Sequence, residues 1–269
     1  MSVPQKACLR RAFSQSTVKY GTLIRLFFET GAICTETLET VTLIKICGIT
    51  NWNDAKAAVD AGADMLGFVC DSHSERAIDV DSFLQIAPRI PPRVVRVGVF
   101  DRNANMEWAL RPEAVKLFHK IQYYDSRIWG EIVGDNWDMR RKIRAFHVSR
   151  EADLRTVANC NDLVESFLVN IHVDSNRAES TSLGIDIPSV GGHSAHQDTY
   201  GWHIANEVHQ FGKRVFLAGG LTAQNVERAI RMVHPYAVDV TVGVESSPGL
   251  KDPDKMHTFV AAVRRAGRR

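Results

Sequence analysis

The stretch Leu43-Ile-Lys-Ile-Cys-Gly-Ile-Thr50 decides the fold of this chain of 269 residues. Apolar residues around one lysine suit a short buried strand, and Gly48 permits a sharp exit directly after Cys47. Asn51 or Asn53 then caps a helix in which Ala55, Ala58 and Val59 recur at helical spacing. Asp60-Ala-Gly62 ends that helix, and Met65-Leu-Gly-Phe-Val-Cys70 reads as a second buried strand. The unit is strand, helix, strand, with a thiol at the end of its first strand.

A cysteine in that position has two readings. It fills a gap in a core, as buried cysteines commonly do, or it is a reactive thiol at a strand end. The rest of the chain bears on the choice. With 45% hydrophobic and 24% charged residues, a chain of this size can bury a full core and fits one α/β barrel. No apolar run approaches the roughly 20 residues of a membrane helix, so a membrane role is not expected. Cys8, Cys34, Cys47, Cys70 and Cys160 are odd in number, widely spaced and without a CxxC pair. That argues against a disulfide framework or a structural zinc site and fits a reducing, cytoplasmic compartment.

Charge divides the chain in two. Residues 43–269 hold 28 of the 33 basic and 28 of the 31 acidic residues, so the body is balanced and shows no basic stripe for nucleic acid. Residues 1–42 have no acid before Glu29 and carry Ser and Thr among scattered Lys and Arg. Either they are an organelle transit segment, Arg10-Arg11 included, or an upstream extension with the true start near Val41. Both readings leave 1–42 outside the fold and assign the folded domain to 43–269.

From Leu43 onward strands and helices alternate. Further strands are expected over 93–100, 120–124, 143–148, 167–173, 214–218 and 236–240. Helices are expected over 79–87, over 104–118 with an interruption at Pro112, and over 150–157 and 199–210, then from Thr222 and from Asp252. Eight strand and helix pairs specify a (β/α)₈ barrel, a TIM barrel, whose active site lies at the carboxyl ends of the strands. Those ends include Cys47-Gly48, Cys70-Asp71, Tyr124-Asp125, Asp174-Ser175, Gly219-Gly220 and Thr241-Val242-Gly243. The glycines after the last two strands either permit tight turns or bare their amides to an anion. A phosphate is the favoured anion, because barrels hold it after strands seven and eight.

Several motifs carry a resemblance to a known family. Lys45-Ile-Cys-Gly-Ile49, Val97-Gly-Val-Phe100, Leu217-Ala-Gly-Gly-Leu-Thr-Ala-Gln-Asn-Val226 and Val238-Asp-Val-Thr-Val-Gly-Val-Glu245 through Pro248-Gly-Leu-Lys-Asp252 occur in the order of the phosphoribosylanthranilate isomerase motifs. The similarity covers about residues 43–264. It implies an Amadori rearrangement in tryptophan biosynthesis, in which an aminoaldose phosphate becomes an aminoketose phosphate. It also implies Cys47 as general base, Asp174 as general acid, Asp239 at the anthranilate amine, Arg76 near the anthranilate carboxylate, and a phosphate at Gly219, Gly220, Thr241, Val242 and Gly243. The implied partner is a phosphorylated sugar–anthranilate substrate; no cofactor is called for, and monomer or homodimer both fit.

The chain also departs from the family pattern. The family's LQLHG on strand four stands here as Ile121-Gln-Tyr-Tyr-Asp125, the loop after strand six has become Gly191-Gly-His-Ser-Ala-His-Gln-Asp-Thr-Tyr-Gly-Trp202, and a serine of the eighth loop is Val242. These changes bear on substrate identity more than on the barrel. His193, His196 and Asp198, with His147, His172 and Asp174, open a rival metal-dependent reading, although no HxH or HExxH pattern fixes a ligand geometry. A third reading is a barrel that binds a sugar phosphate without turnover. Trp129 and Trp137 have no functional account.

Overall fold

The computed structural model describes residues 16–19, 22–29, 32–38, 41–101, 106–125, 138–160, 162–171 and 195–267. Strands β1 (Ser16–Lys19), β2 (Thr22–Glu29) and β3 (Ala32–Leu38) form an antiparallel three-stranded sheet that shares no ladder with the rest. The described residues of this segment pair with one another. Its paired ends, Lys19↔Thr22 and Glu29↔Ala32, are separated by two residues each, with Gly21 and Gly31 in the gaps.

The barrel strands are β4 (Leu43–Cys47), β5 (Met65–Val69), β6 (Val95–Phe100), β7 (Lys120–Tyr123), β8 (Lys142–Val148), β9 (Ser166–Ile171), β10 (Arg214–Ala218) and β11 (Ala237–Val240). All pair in parallel, and β11 closes on β4 through Asp239↔Lys45 and its neighbours. A closed parallel sheet has no free edge, and its strands alternate side chains between barrel interior and helix layer. In β4, Ile44 and Ile46 join the main core beneath the helices, which leaves Lys45 and Cys47 pointing inward. The interior is filled by a smaller cluster of Met65, Val97, Ile143, Ala145, Leu168, Phe216, Ala218 and Ala237.

The outer layer contains α1 (Trp52–Ala61), α2 (Val80–Ile86), α3 (Glu107–Leu110), α4 (Pro112–Val115), α5 (Leu154–Ala158), α6 (Ala195–Glu207), α7 (Val226–Val233) and α8 (Pro253–Ala266). Asn51 caps α1, its Oδ1 accepting from the Asp54 amide at 2.9 Å, and Asp252 caps α8. Pro112 splits the expected 104–118 helix, since it opens α4 at a position where a missing N–H costs nothing. Several starts shift: the helices expected from 104, 150 and 199 begin at Glu107, Leu154 and Ala195, and a fourth has a visible cause. The helix expected from Thr222 begins at Val226, because the Asn225 side chain accepts from the Thr222 amide and donates to the Gly220 carbonyl, which holds 220–225 as a turn. Where the sequence extends the sixth barrel strand to residue 173, residues 172 and 173 lie outside the described set.

A third sheet, the short pair β12 (Glu245–Ser247) and β13 (Leu250–Lys251), follows β11 and stands beside the barrel mouth. Buried Phe68, Phe83, Trp108 and Phe118 pack the helix layer outside β5 and β6, with Phe83 stacked on Phe118 at 4.3 Å. None of the described helices is long and apolar enough to cross a membrane.

Candidate active site

One cavity of about 500 Å³ opens at the carboxyl ends of the strands. Cys47 lines it at the end of β4, facing Asp239 and Val240 of β11 and the loop from Thr241 to Gly243. Gly67 on β5 is what gives the thiol room, because a Cβ there would come within 2.6 Å of Cys47 Sγ. Beneath this wall Lys45 is fully buried. Its Nζ donates to Asp239 Oδ2 at 2.9 Å and to Gln122 Oε1 at 3.0 Å.

Burial alone would lower the Lys45 pKa, but the Asp239 carboxylate and Cys47 outweigh it, so the ammonium is held more firmly than in water. Burial acts on Cys47 in the other direction and pushes the thiol up, opposed chiefly by Lys45. A thiol poised to ionise by a nearby helix end is therefore not what the free protein presents, because the low dielectric around Cys47 penalises the thiolate. Asp239 keeps its second oxygen, Oδ1, buried and without a hydrogen-bond partner among the described residues. Such an orphan acceptor is costly unless something donates to it.

The glycine loops form the next part of the wall. Gly219 has φ +97°, and a Cβ on it would overlap the Ile171 carbonyl; one on Gly243 would overlap the Leu221 carbonyl. Both are therefore required by close packing of the loops, whatever else they do. Gly220 and Leu221 differ, for among the described residues their amides donate to no other group. Because α7 starts at Val226, the donors at this end of the cavity are loop amides together with the single turn over 242–244 that follows β11.

Arg76 enters from the loop after β5. Glu245 grips it through Nε at 2.9 Å and Nη2 at 2.8 Å, a bidentate pair that fixes the guanidinium plane. Glu245 also accepts from Lys251 at 2.9 Å, and Lys251 is itself buried and bonded to the Thr241 carbonyl. Burial would raise the Glu245 pKa, but the hydrogen bonds from Arg76 and Lys251 prevail and lower it.

The far wall includes Tyr124, one of the positions that depart from the family pattern. Tyr124 stacks on His147 with centroids 4.5 Å apart and planes at 12°, and Asn170 Nδ2 donates to the Tyr124 hydroxyl at 3.4 Å. Burial pushes the Tyr124 phenol up to about 12, so it stays neutral at any working pH.

Every expected site residue except one lies on this cavity: Cys47, Arg76, Asp239, Gly219, Gly220, Thr241, Val242 and Gly243. The exception, Asp174, lies outside the described residues. His172 and His193 do so as well, and so do the side chains of His196 and Asp198 on α6. Among the described residues no group of three or more His, Cys, Asp or Glu is placed to hold a metal. Sequence reasoning missed Lys45, Gln122 and Asn170 as site residues, and Glu245 and Lys251 as the support of Arg76. For the first three a signal was present, since each is a polar residue at an inward position of an otherwise apolar strand.

Fold and cavity together define a (β/α)₈-barrel enzyme with its reactive groups at the strands' carboxyl ends. Residues 44–262 match the family model described as N-(5'phosphoribosyl)anthranilate (PRA) isomerase. The N-(5'-phosphoribosyl)anthranilate isomerase of Magnetococcus marinus is 38% identical over 229 residues, covering 83% of this chain and 95% of that protein. The crystal structure of phosphoribosyl anthranilate isomerase from Thermotoga maritima superposes with a TM-score of 0.63 at 30% identity, covering 83% of this chain and 99% of that one. A phosphoribosyl anthranilate isomerase in complex with reduced 1-(o-carboxyphenylamino)-1-deoxyribulose 5-phosphate gives 0.62 at 29% identity, with the same coverage. The chain belongs to the N-(5'-phosphoribosyl)anthranilate isomerase family, enzymes of aldose-to-ketose rearrangement.

Proposed function

We propose that this protein converts N-(5'-phosphoribosyl)anthranilate to 1-(o-carboxyphenylamino)-1-deoxyribulose 5-phosphate in tryptophan biosynthesis, with Cys47 as general base and Asp174 as general acid. Asp174 protonates the furanose ring oxygen as the C1–O bond breaks, and the amine lone pair forms the iminium. Cys47 as thiolate then takes the proton from C2, and the electron pair moves through C1 to nitrogen, giving an enolamine that tautomerises to the ketone. One proton passing from thiol to carboxylate resets the pair.

The same reading gives each wall a task. The unspent amides of Gly220 and Leu221, beside the turn after Thr241, receive the phosphate. Asp239 Oδ1 accepts from the anthranilate amine, which removes its orphan status. Arg76, held in plane by Glu245, meets the anthranilate carboxylate at the rim. The domain that does this is 43–269, with 1–42 outside it, and the compartment is cytoplasmic.

The observation that carries this proposal is the convergence of one thiol, one unsatisfied buried carboxylate oxygen and two unspent loop amides on a single cavity. It is tested by transforming a tryptophan auxotroph lacking this isomerase with the full chain and with Asp174→Asn. The full chain restores growth and Asp174→Asn does not. Failure of the full chain, alongside tight binding of the substrate without turnover, replaces the enzyme with a sugar-phosphate-binding barrel. Loss of turnover on chelation would instead favour the metal reading.

A further inference from the structure

Lys45 is an expensive residue to place where it is. It is fully buried at the centre of a barrel whose neighbouring positions are Ile44 and Ile46. A buried ion pair commonly stabilises no better than apolar residues of similar volume, so its presence calls for another account. Its geometry supplies one. Lys45 and Cys47 are two residues apart on one strand, so both side chains project to the barrel interior. An ammonium carries three donors, and two are spent on Asp239 Oδ2 and Gln122 Oε1. The third has no hydrogen bond among the described residues, and the Cys47 side chain lies on the same side of the strand.

We propose that Lys45 is a positioning residue for the base: its fixed ammonium stabilises the Cys47 thiolate, and Asp239, by sharing that ammonium, limits how far. The opposing effects of the two on the thiol agree with this layout. The other ionisable groups that face Cys47 are Cys70 at the end of β5, Arg76 on the following loop, Tyr124 after β7 and Lys251 on β13. Lys251 and Arg76 are both bonded to Glu245 and Tyr124 stays neutral, so Lys45, paired with Asp239, is the one cation of this set carried on the same strand as Cys47.

The inference rests on the reading of Cys47 as base, yet its test does not use turnover. Thiolate absorbance of the unliganded full chain is titrated against pH, and the same variant carrying Cys47→Ala is subtracted so that only Cys47 is read. Lys45→Met moves the midpoint up, and at pH 7 the rate of Cys47 alkylation by iodoacetamide falls at least about tenfold, since one pH unit corresponds to a tenfold change in thiolate. Asp239→Asn moves it the opposite way, down, because Lys45 then serves the sulfur with Gln122 alone. If Lys45→Met does not fold, Lys45→Gln is titrated in its place, with the same upward shift expected and an unmoved midpoint overturning the role. A midpoint unmoved in both variants, or moved in the same direction by both, overturns the role of Lys45. A Cys47→Ala enzyme of normal turnover would overturn the base assignment instead, so the two failures are distinct.

Discussion

The two walls of the cavity are built on different principles. On the β4 and β11 side, charged groups are buried and locked to one another: Lys45 with Asp239 and Gln122, and Arg76 with Glu245 and Lys251. On the β7, β8 and β9 side, the contacts of Tyr124, His147 and Asn170 include an aromatic stack and a long hydrogen bond, and His147 is exposed. Of the departures from the family pattern, Tyr124 stands on the second wall and Val242 on the first. The lesson is that chemistry needs groups whose position is over-determined, whereas a wall that shapes fit tolerates looser parts.

That contrast predicts an ordered set of stability losses. Lys45→Met leaves the Asp239 carboxylate buried and uncompensated, and denaturant unfolding should show a loss of about 3–5 kcal/mol. Tyr124→Phe keeps the ring and loses only the contact to Asn170, so its cost should not exceed about 1 kcal/mol. Equal losses in the two variants would erase the distinction between the walls.

Legibility followed the same division. The barrel was readable because hydrophobic strands, capping Asn51 and Asp252, and Pro112 are local signals, and each acts where the sequence places it. The start of α7 was not, because the Asn225 side chain takes the Thr222 amide and holds a turn before the helix. Cys47, Asp239 and the glycine loops were readable through motif and strand-end position. The Glu245 grip on Arg76 was not, because it joins residues 169 apart in the chain. Nor was the state of Cys47, since position marks a thiol at a strand end but burial sets its protonation.

Glu245→Gln sharpens the comparison next. The amide cannot hold Arg76 and Lys251 together as the carboxylate does, so stability should fall by roughly 1–3 kcal/mol. Because the folded-state pKa of Glu245 is lowered, its contribution is complete above the unfolded value of about 4.3 and is lost as pH falls through the folded value. Urea midpoints measured from pH 6 downward should therefore drop less in Glu245→Gln than in the parent. A parallel fall in both would mean that Glu245 is not the group responsible. For turnover, the same variant should raise KM severalfold with little change in kcat, as expected if it acts by aiming Arg76 at substrate.

A further small effect belongs to the second wall. His147→Ala removes one partner of the Tyr124 stack and should cost about 0.5–1.5 kcal/mol. A loss as large as that of Lys45→Met would show that this wall is as tightly specified as the first.

The most direct measurement is the steady-state turnover of N-(5'-phosphoribosyl)anthranilate by the purified full chain and by its Cys47→Ala variant. The parent should produce the aminoketose phosphate, and the variant should lose at least about a hundredfold in kcat while folding normally, as removal of a general base does. A variant that turns substrate over at the parent's rate would contradict the account.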